Sequence, residues 1–224
     1  RLLQEAKETF SRAFGVRNDE IYFLGEPPLG FHLGINGFLT SESRLFFSGT
    51  DRAPVHAIAD DRHNRGLAIR QDSDETGTAD DVLVYQTFNP ETGIHKPKPD
   101  SFSGRVFVDN SAYGVHSHLP HNWAAAFWQS RSWQGPSGLG VLAVRNGAPW
   151  RNPLPHNDIN KVPQAFSIPL ALASAVALEN FSKEYEAAHH NVVHFKKVIS
   201  DFLIHEIGDV VIAGADLETS PFLL

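Results

Sequence analysis

The stretch from Arg105 to Arg145 constrains the fold of this chain more than any other. Arg105-Val106-Phe107-Val108-Asp109 reads as a strand whose apolar run ends in a single carboxylate. A second apolar run spans Ala124 to Gln129. A third, Gly140 to Arg145, follows the turn-forming Gly135-Pro136-Ser137-Gly138-Leu139-Gly140. The rest of the chain alternates such runs with helical patterns, which favours a mostly parallel α/β sheet.

Leu3, Ala6, Phe10 and Phe14 recur at helical spacing, predicting a helix over Leu2–Phe14. Glu20–Leu24 is a short strand, broken by Gly25-Glu26-Pro27-Pro28 before a helix reaching Leu39. Further strands are expected at Arg44–Ser48, Leu67–Gln71 and Val82–Thr87, with a helix over Pro54–Asn64. Asp72–Asp81 is polar and rich in Gly, Thr and Asp, a surface loop. Asn146–Val162, with Gly147, Pro149, Pro153 and Pro155, is a long connection. Two long helices are expected after it, Ala165–Glu186 and His190–Glu206. A strand and turn over Asp209–Gly214 would open a second domain, dividing the chain into residues 1–205 and 206–224. No internal repeat or low-complexity tract interrupts this order.

A length of 224 residues is ample for a buried core, and 42% hydrophobic with 20% charged residues describes an ordinary globular chain. The net charge is −7 with no basic cluster, which argues against nucleic acid or an anionic membrane as main partner. The longest apolar stretch, Ile168–Leu178, is too short to span a bilayer and contains Pro169 and Ser174. The acids Glu5 and Glu8 make the first residues unlike a signal peptide. Zero Cys excludes a disulfide framework or thiolate metal site within these residues and agrees with a cytoplasmic location.

His116-Ser117-His118-Leu119-Pro120-His121 resembles the H-x-H-x-D-H metal motif of the metallo-β-lactamase fold, since neutral imidazoles suit zinc. Pro120 stands where that motif needs its Asp, and no companion ligand set is evident. These residues read as surface histidines of a turn, and no metal is expected. A metallo-hydrolase built on His116, His118 and His121 is the alternative from another class.

The Asp109 strand and the run Ser130-Arg131-Ser132-Trp133-Gln134-Gly135-Pro136-Ser137-Gly138-Leu139-Gly140 together resemble the core of class V, fold-type-I enzymes that use pyridoxal 5'-phosphate (PLP). The resemblance is strongest to cysteine desulfurases. Their segment carries a buried Asp at a strand end, then S-x-x-K-x-x-G-P-x-G-x-G, whose Lys is the Schiff-base lysine. Here the serine and the glycine tail are present, but the run is one residue short and has no Lys. The family's D-x-x-x-x-x-G is also one residue short between Asp109 and Gly114, near Ser111. Met is absent from all 224 residues, as it would be from a reading that skips selenomethionine. A cofactor-bonded lysine would be skipped with it. The expectation is therefore a lysine between Ser132 and Trp133; a degenerate relative that lost it is the competing explanation.

The resemblance implies roles for particular residues. Asp109, at a strand's carboxyl end, would keep the pyridine nitrogen protonated by direct pairing; an isolated Asp there more commonly caps the next turn. Ser130 and Ser132 match phosphate-side positions, the latter in place of a frequent His. Gly25, Glu26 and Pro27 stand where the family has a Gly-Ala-Thr turn at a phosphate-binding helix N-terminus. Arg52, in Asp51-Arg52-Ala53-Pro54-Val55, replaces the His that stacks on the ring. A guanidinium can stack but is no acid or base near neutral pH. Asn89, in Asn89-Pro90-Glu91-Thr92-Gly93, matches the amide that contacts the phenolic oxygen, or forms an Asn-Pro turn.

The fold so implied is a seven-stranded, mainly parallel sheet with helices on both faces, its last strand, Gly140–Arg145, antiparallel. The implied activity is removal of sulfur from L-cysteine to leave alanine, with a class V aminotransferase or related lyase as runner-up and a non-catalytic relative beyond it. The cysteine that desulfurases use lies, in the family, in the C-terminal domain. An amino-acid substrate, a homodimer joined through Asn157–Pro163 and a sulfur-acceptor protein are the implied partners. The resemblance covers nearly all of the chain but only the central part of a full-length enzyme.

Overall fold

The structure, a computed structural model, describes residues 1–25, 27–112, 115, 118–154, 166–207, 209–212, 217, 219, 220 and 222, with only the backbone described at 27. Helix α1 (Leu2–Phe14) buries Ala6, Phe10 and Phe14 on one face. It stops at Gly15, whose φ of 67° is left-handed and whose N–H bonds the Ser11 carbonyl, a conformation that favours glycine. Strand β1 (Ile21–Leu24) leads to α2 (Pro27–Asn36), β2 (Leu45–Phe47), α3 (Ala53–Asn64), β3 (Ile69–Gln71) and β4 (Val82–Gln86). Then come β5 (Arg105–Asp109), β6 (Trp123–Gln129), β7 (Gly140–Val144) and α4 (Ile168–Ile207).

The seven strands form one sheet in the order β1-β7-β6-β5-β4-β2-β3. Neighbours from β6 to β3 pair in parallel, whereas β7 runs antiparallel to both β6 and β1. The carboxyl ends of β1, β6, β5, β4 and β2 therefore lie along one edge. This is the predicted sheet, including the reversed direction of Gly140–Val144.

Side chains alternate between two cores, as the pleat dictates. Val106, Val108, Trp128, Val141 and Ala143 pack with α1 and α4. Phe107, Phe127, Leu142 and Val144 pack with α2 and α3. Phe14 stacks on Trp128 at 4.2 Å, and Trp133 closes the same aromatic group against Phe10 and Phe14. On the other face α2 lies directly on the strands. A Cβ at Gly30 would run into the Phe127 ring, and one at Gly34 into the Phe107 ring. That contact sets the first turn of α2 beside the carboxyl ends of the central strands.

Two sequence expectations are corrected. The helices expected at Ala165–Glu186 and His190–Glu206 are one helix, Ile168–Ile207, about 60 Å long at 1.5 Å per residue. The expected break falls on Ala187-Ala188-His189, where Ala is the strongest helix former and neither Gly nor Pro interrupts. Asp209–Ile212 forms no strand, and Val211 is 94% exposed. Pairing near the end of the chain is instead a bridge between Thr219 and Ile94. An isolated apolar run without a neighbouring strand to receive its N–H and C=O groups has nothing to make it a strand.

Candidate functional site

Loops at the carboxyl ends of β2, β4 and β6 and the first turns of α2 and α3 enclose a cleft of about 440 Å³. Phe31, Thr50, Arg52, Pro90, Glu91 and Gln129 are among its walls. Ligands of open α/β sheets bind in such a crevice. Asp109 ends β5 on the α2 and α3 side, in register with Gln86 of β4, and is only 2% exposed.

Asp109 accepts the Ser111 N–H at 2.9 Å and the Ser111 hydroxyl, closing a tight turn after the strand. Its other oxygen faces Arg52 Nε at 3.5 Å. Burial pushes the Asp109 carboxyl above its ordinary value, against the opposing pull of Arg52, Ser111 and Gln86. Arg52 is the N-cap residue of α3 and makes no side-chain cap bond, so its guanidinium reaches inward. Asp51 fixes the preceding turn by accepting the Ser48 N–H at 2.8 Å, and Lys96 lies 3.7 Å from its second oxygen. Burial also raises the Asp51 carboxyl, opposed by the Ser48 amide and by Lys96. Asp51 and Arg52 line the cleft, and Asp109 and Lys96 stand behind them as their charge partners.

Asn89 is buried and works as a turn former. Its Oδ1 accepts the Glu91 and Thr92 N–H groups at 2.9 Å, and its amide donates to the Thr50 carbonyl at 3.3 Å, tying two cleft walls together. Gly25 sits between β1 and α2; Glu26 lies outside the described residues. The first two positions of α2 are Pro27 and Pro28, so that turn presents only the N–H groups of Leu29 and Gly30 to an anion.

Ser130 and Ser132 are seated away from the cleft. The Ser130 hydroxyl bonds Ser174 of α4 at 2.7 Å, and that of Ser132 donates to the Gln129 carbonyl at 2.8 Å. Trp133 is anchored beside them, its indole N–H donating to Ser174 at 3.1 Å. The structure pairs Asp109 with Arg52, a contact the sequence reading did not name, and adds Gln86, Asp51, Lys96 and Ser111 around them.

His118 and His121 precede β6, at the opposite end of the sheet from Asp109. Both are exposed, and His121 pairs with Asp100 at 3.1 Å. His116 and the segment Asn157–Pro163 lie outside the described residues. Among the described residues no group of three metal-binding side chains occurs. No helix in them is long and apolar enough to cross a membrane.

No protein-family profile and no curated protein matches the sequence. Solved structures do match. DndA from Streptomyces lividans superposes with a TM-score of 0.85 at 16% identity, over 99% of this chain and 71% of that one. A NifS-like protein gives 0.82 at 17% identity, over 98% and 68%. SspA in complex with cysteine gives 0.69 at 18% identity, over 89% and 65%. The chain thus spans about seven-tenths of the first two. Its seven-stranded sheet flanked by helices is the fold-type-I arrangement of PLP-dependent enzymes.

Proposed function

We propose that this chain is the cofactor-binding core of a PLP-dependent, cysteine desulfurase-like enzyme that takes sulfur from L-cysteine and leaves alanine. The observation that carries the reading is the Asp109 carboxylate, sealed at the end of β5 beside a cleft bordered by a cation. Buried polar atoms around it, on Gln86, Asp51 and Arg52, lack hydrogen-bond partners, as expected of a site shaped for a polar ligand. The residues on the ring side fit the cofactor. PLP, when bound, supplies an electron sink for bonds at the amino acid's α-carbon.

In this reading Asp109 would hold a proton at the ring nitrogen. Arg52 would lie on the ring side of the cleft, whose outer wall the Asn89 turn fixes. Phosphate would fall to the backbone amides of the Gly25-Glu26 turn and the start of α2, with Ser130 and Ser132 joining once their hydroxyls leave their present partners. A lysine between Ser132 and Trp133 would lengthen the turn after Gln129, itself a cleft wall. Because β6 and Trp133 are both anchored, the added residue would put slack at Ser130–Ser132 and free their hydroxyls. Such a lysine, partly desolvated beside Trp133, would favour the neutral amine that attacks a carbonyl. Two further points belong to the same proposal: a homodimer joined through Asn157–Pro163, with residues 206–224 opening a second domain, and a cytoplasmic enzyme passing sulfur to an acceptor protein.

Peptide mapping after PLP loading and borohydride reduction tests the reading. A pyridoxyl-labelled lysine on the peptide holding Ser130 and Trp133, with alanine released from L-cysteine, supports it. A keto acid product would instead indicate the aminotransferase. A gapless, unlabelled Ser132-Trp133 peptide in a protein that ignores PLP would leave a non-catalytic relative.

A further inference from the structure

Gln86 is 1% exposed, and neither its side-chain nitrogen nor its oxygen makes a hydrogen bond of good geometry, although the amide lies close enough to Asp109 to favour the charged carboxylate. A buried amide without a well-formed hydrogen bond is rare, because its desolvation is poorly compensated. Its surroundings are specific. Gln86 is the last residue of β4 and pairs in parallel register with Asp109, the last residue of β5. Registered residues on neighbouring strands point to the same face, so amide and carboxylate stand side by side. Val84 and Phe107, two residues earlier on each strand, lie together in the α2 and α3 core. The same alternation carries Gln86 and Asp109 to the open end of that layer, toward the cleft.

Arg52 Nε and Asp51 Oδ1 are likewise buried without a hydrogen bond. Unmatched polar atoms thus gather around one carboxylate from β4, from the loop after β2 and from the start of α3. We propose that Gln86 is a positioning residue for Asp109: its amide N–H clamps the carboxylate from the neighbouring strand and leaves the opposite edge to a cationic N–H in the cleft. The clamp matters most when Arg52 is drawn away by a ligand, because Ser111 alone would then hold Asp109. Its electrostatic contact with the carboxylate has the sign the proposal needs, favouring the charged form. The other charged or titratable groups facing this region are Arg52, Asp51, Lys96 and His56, all of which the substitutions below leave in place.

The test is a carbon-13 NMR titration of the Asp109 carboxyl in the free protein, comparing wild type with Gln86→Met and Gln86→Glu. Met keeps the shape without the donor; Glu keeps the shape and, when ionised, adds a like charge. The expected result is a midpoint raised by about one pH unit in Gln86→Met and further in Gln86→Glu. Midpoints unchanged in both variants would overturn the clamp. An unmoved midpoint in Gln86→Met overturns the clamp whatever Gln86→Glu shows, because the added charge alone would move the latter; if Gln86→Met does not fold, Gln86→Leu takes its place. PLP titration provides a second readout and rests on the function proposed above. Gln86→Met should bind about tenfold more weakly, in step with that one-unit shift. A shifted midpoint in a protein that never binds PLP would uphold Gln86 and refute the cofactor. Tight PLP binding with an unmoved midpoint would do the reverse.

Discussion

Arg52 Nε stands 3.5 Å from the Asp109 carboxylate, joining the first turn of α3 to the end of β5. Asp109 is sealed, whereas the Arg52 side chain keeps 27% of its surface, so only the arginine can turn outward without losing solvation. Removing it leaves a buried carboxylate without its cation. Arg52→Gln should destabilise the free protein at pH 7 by about 1–3 kcal/mol, below the usual cost of breaking a fully buried pair because Arg52 is partly solvated. The loss should shrink at acidic pH, where Asp109 is neutral. Urea unfolding at pH 7 and at acidic pH checks both statements.

Asp109→Asn addresses the carboxylate itself. Its folded-state value lies above the unfolded one, so the native state keeps this proton to higher pH. Stability from this group is therefore greatest in acid, falls as pH rises from about 4 through the folded value, and is level above it. Asp109→Asn should remove that decline and leave a flatter stability curve. Bound PLP should lose affinity through the loss of a charge-assisted partner, roughly 1.5–3 kcal/mol, with turnover falling further. Thermal unfolding across pH, beside PLP titration, separates the two effects.

Asp81 shows the opposite case, away from the cleft. Burial alone would raise its carboxyl, but two side-chain bonds and a backbone bond from Arg44, with two bonds from Thr78, hold it at about 2. That stability is present above the unfolded value near 4 and is lost as pH falls through about 2. Arg44→Ala should cost about 2 kcal/mol at pH 7, with much of the difference gone at pH 2. Denaturant titrations at the two pH values measure it.

Trp133 fixes the turn that follows β6. It is fully buried, packs on Phe10 and Phe14 and donates to Ser174. Trp133→Ala should cost about 3–5 kcal/mol, by cavity formation and by leaving Ser174 short of a donor. Trp133→Phe should recover the packing but not the hydrogen bond. Equilibrium unfolding of both variants distinguishes the two contributions.

Periodicity made the layers legible. The spacing of Ala6, Phe10 and Phe14 predicts α1 to the residue, and each expected strand up to Gly140–Val144 is present. The reversed direction of β7 came from resemblance, because a Gly-rich turn does not by itself say which way the next strand runs. Helix α4 was misread at Ala187-Ala188, where a gap in the apolar pattern passed for a boundary. Within the site, Asp109 stood out as a carboxylate ending an apolar strand, whereas Arg52 was singled out by resemblance alone. Gln86 was not legible, since its meaning depends on the register between β4 and β5, which no single segment carries. The bond of the Ser130 hydroxyl to Ser174, 44 positions away, is likewise carried by no local pattern.

Gly30 and Gly34 act as two notches that key α2 onto the Phe127 and Phe107 rings. A keyed helix cannot slide by a residue or rise by the width of a methyl group without losing its seat. Phe31, between the notches, and the amides of the first turn are therefore held at a set height above the strand ends. Errors of fit at either notch are transmitted along α2 to the cleft. Substitutions at these two glycines, neither of which bears a functional group, should lift α2 off the strand ends and so disturb the cleft as well as stability.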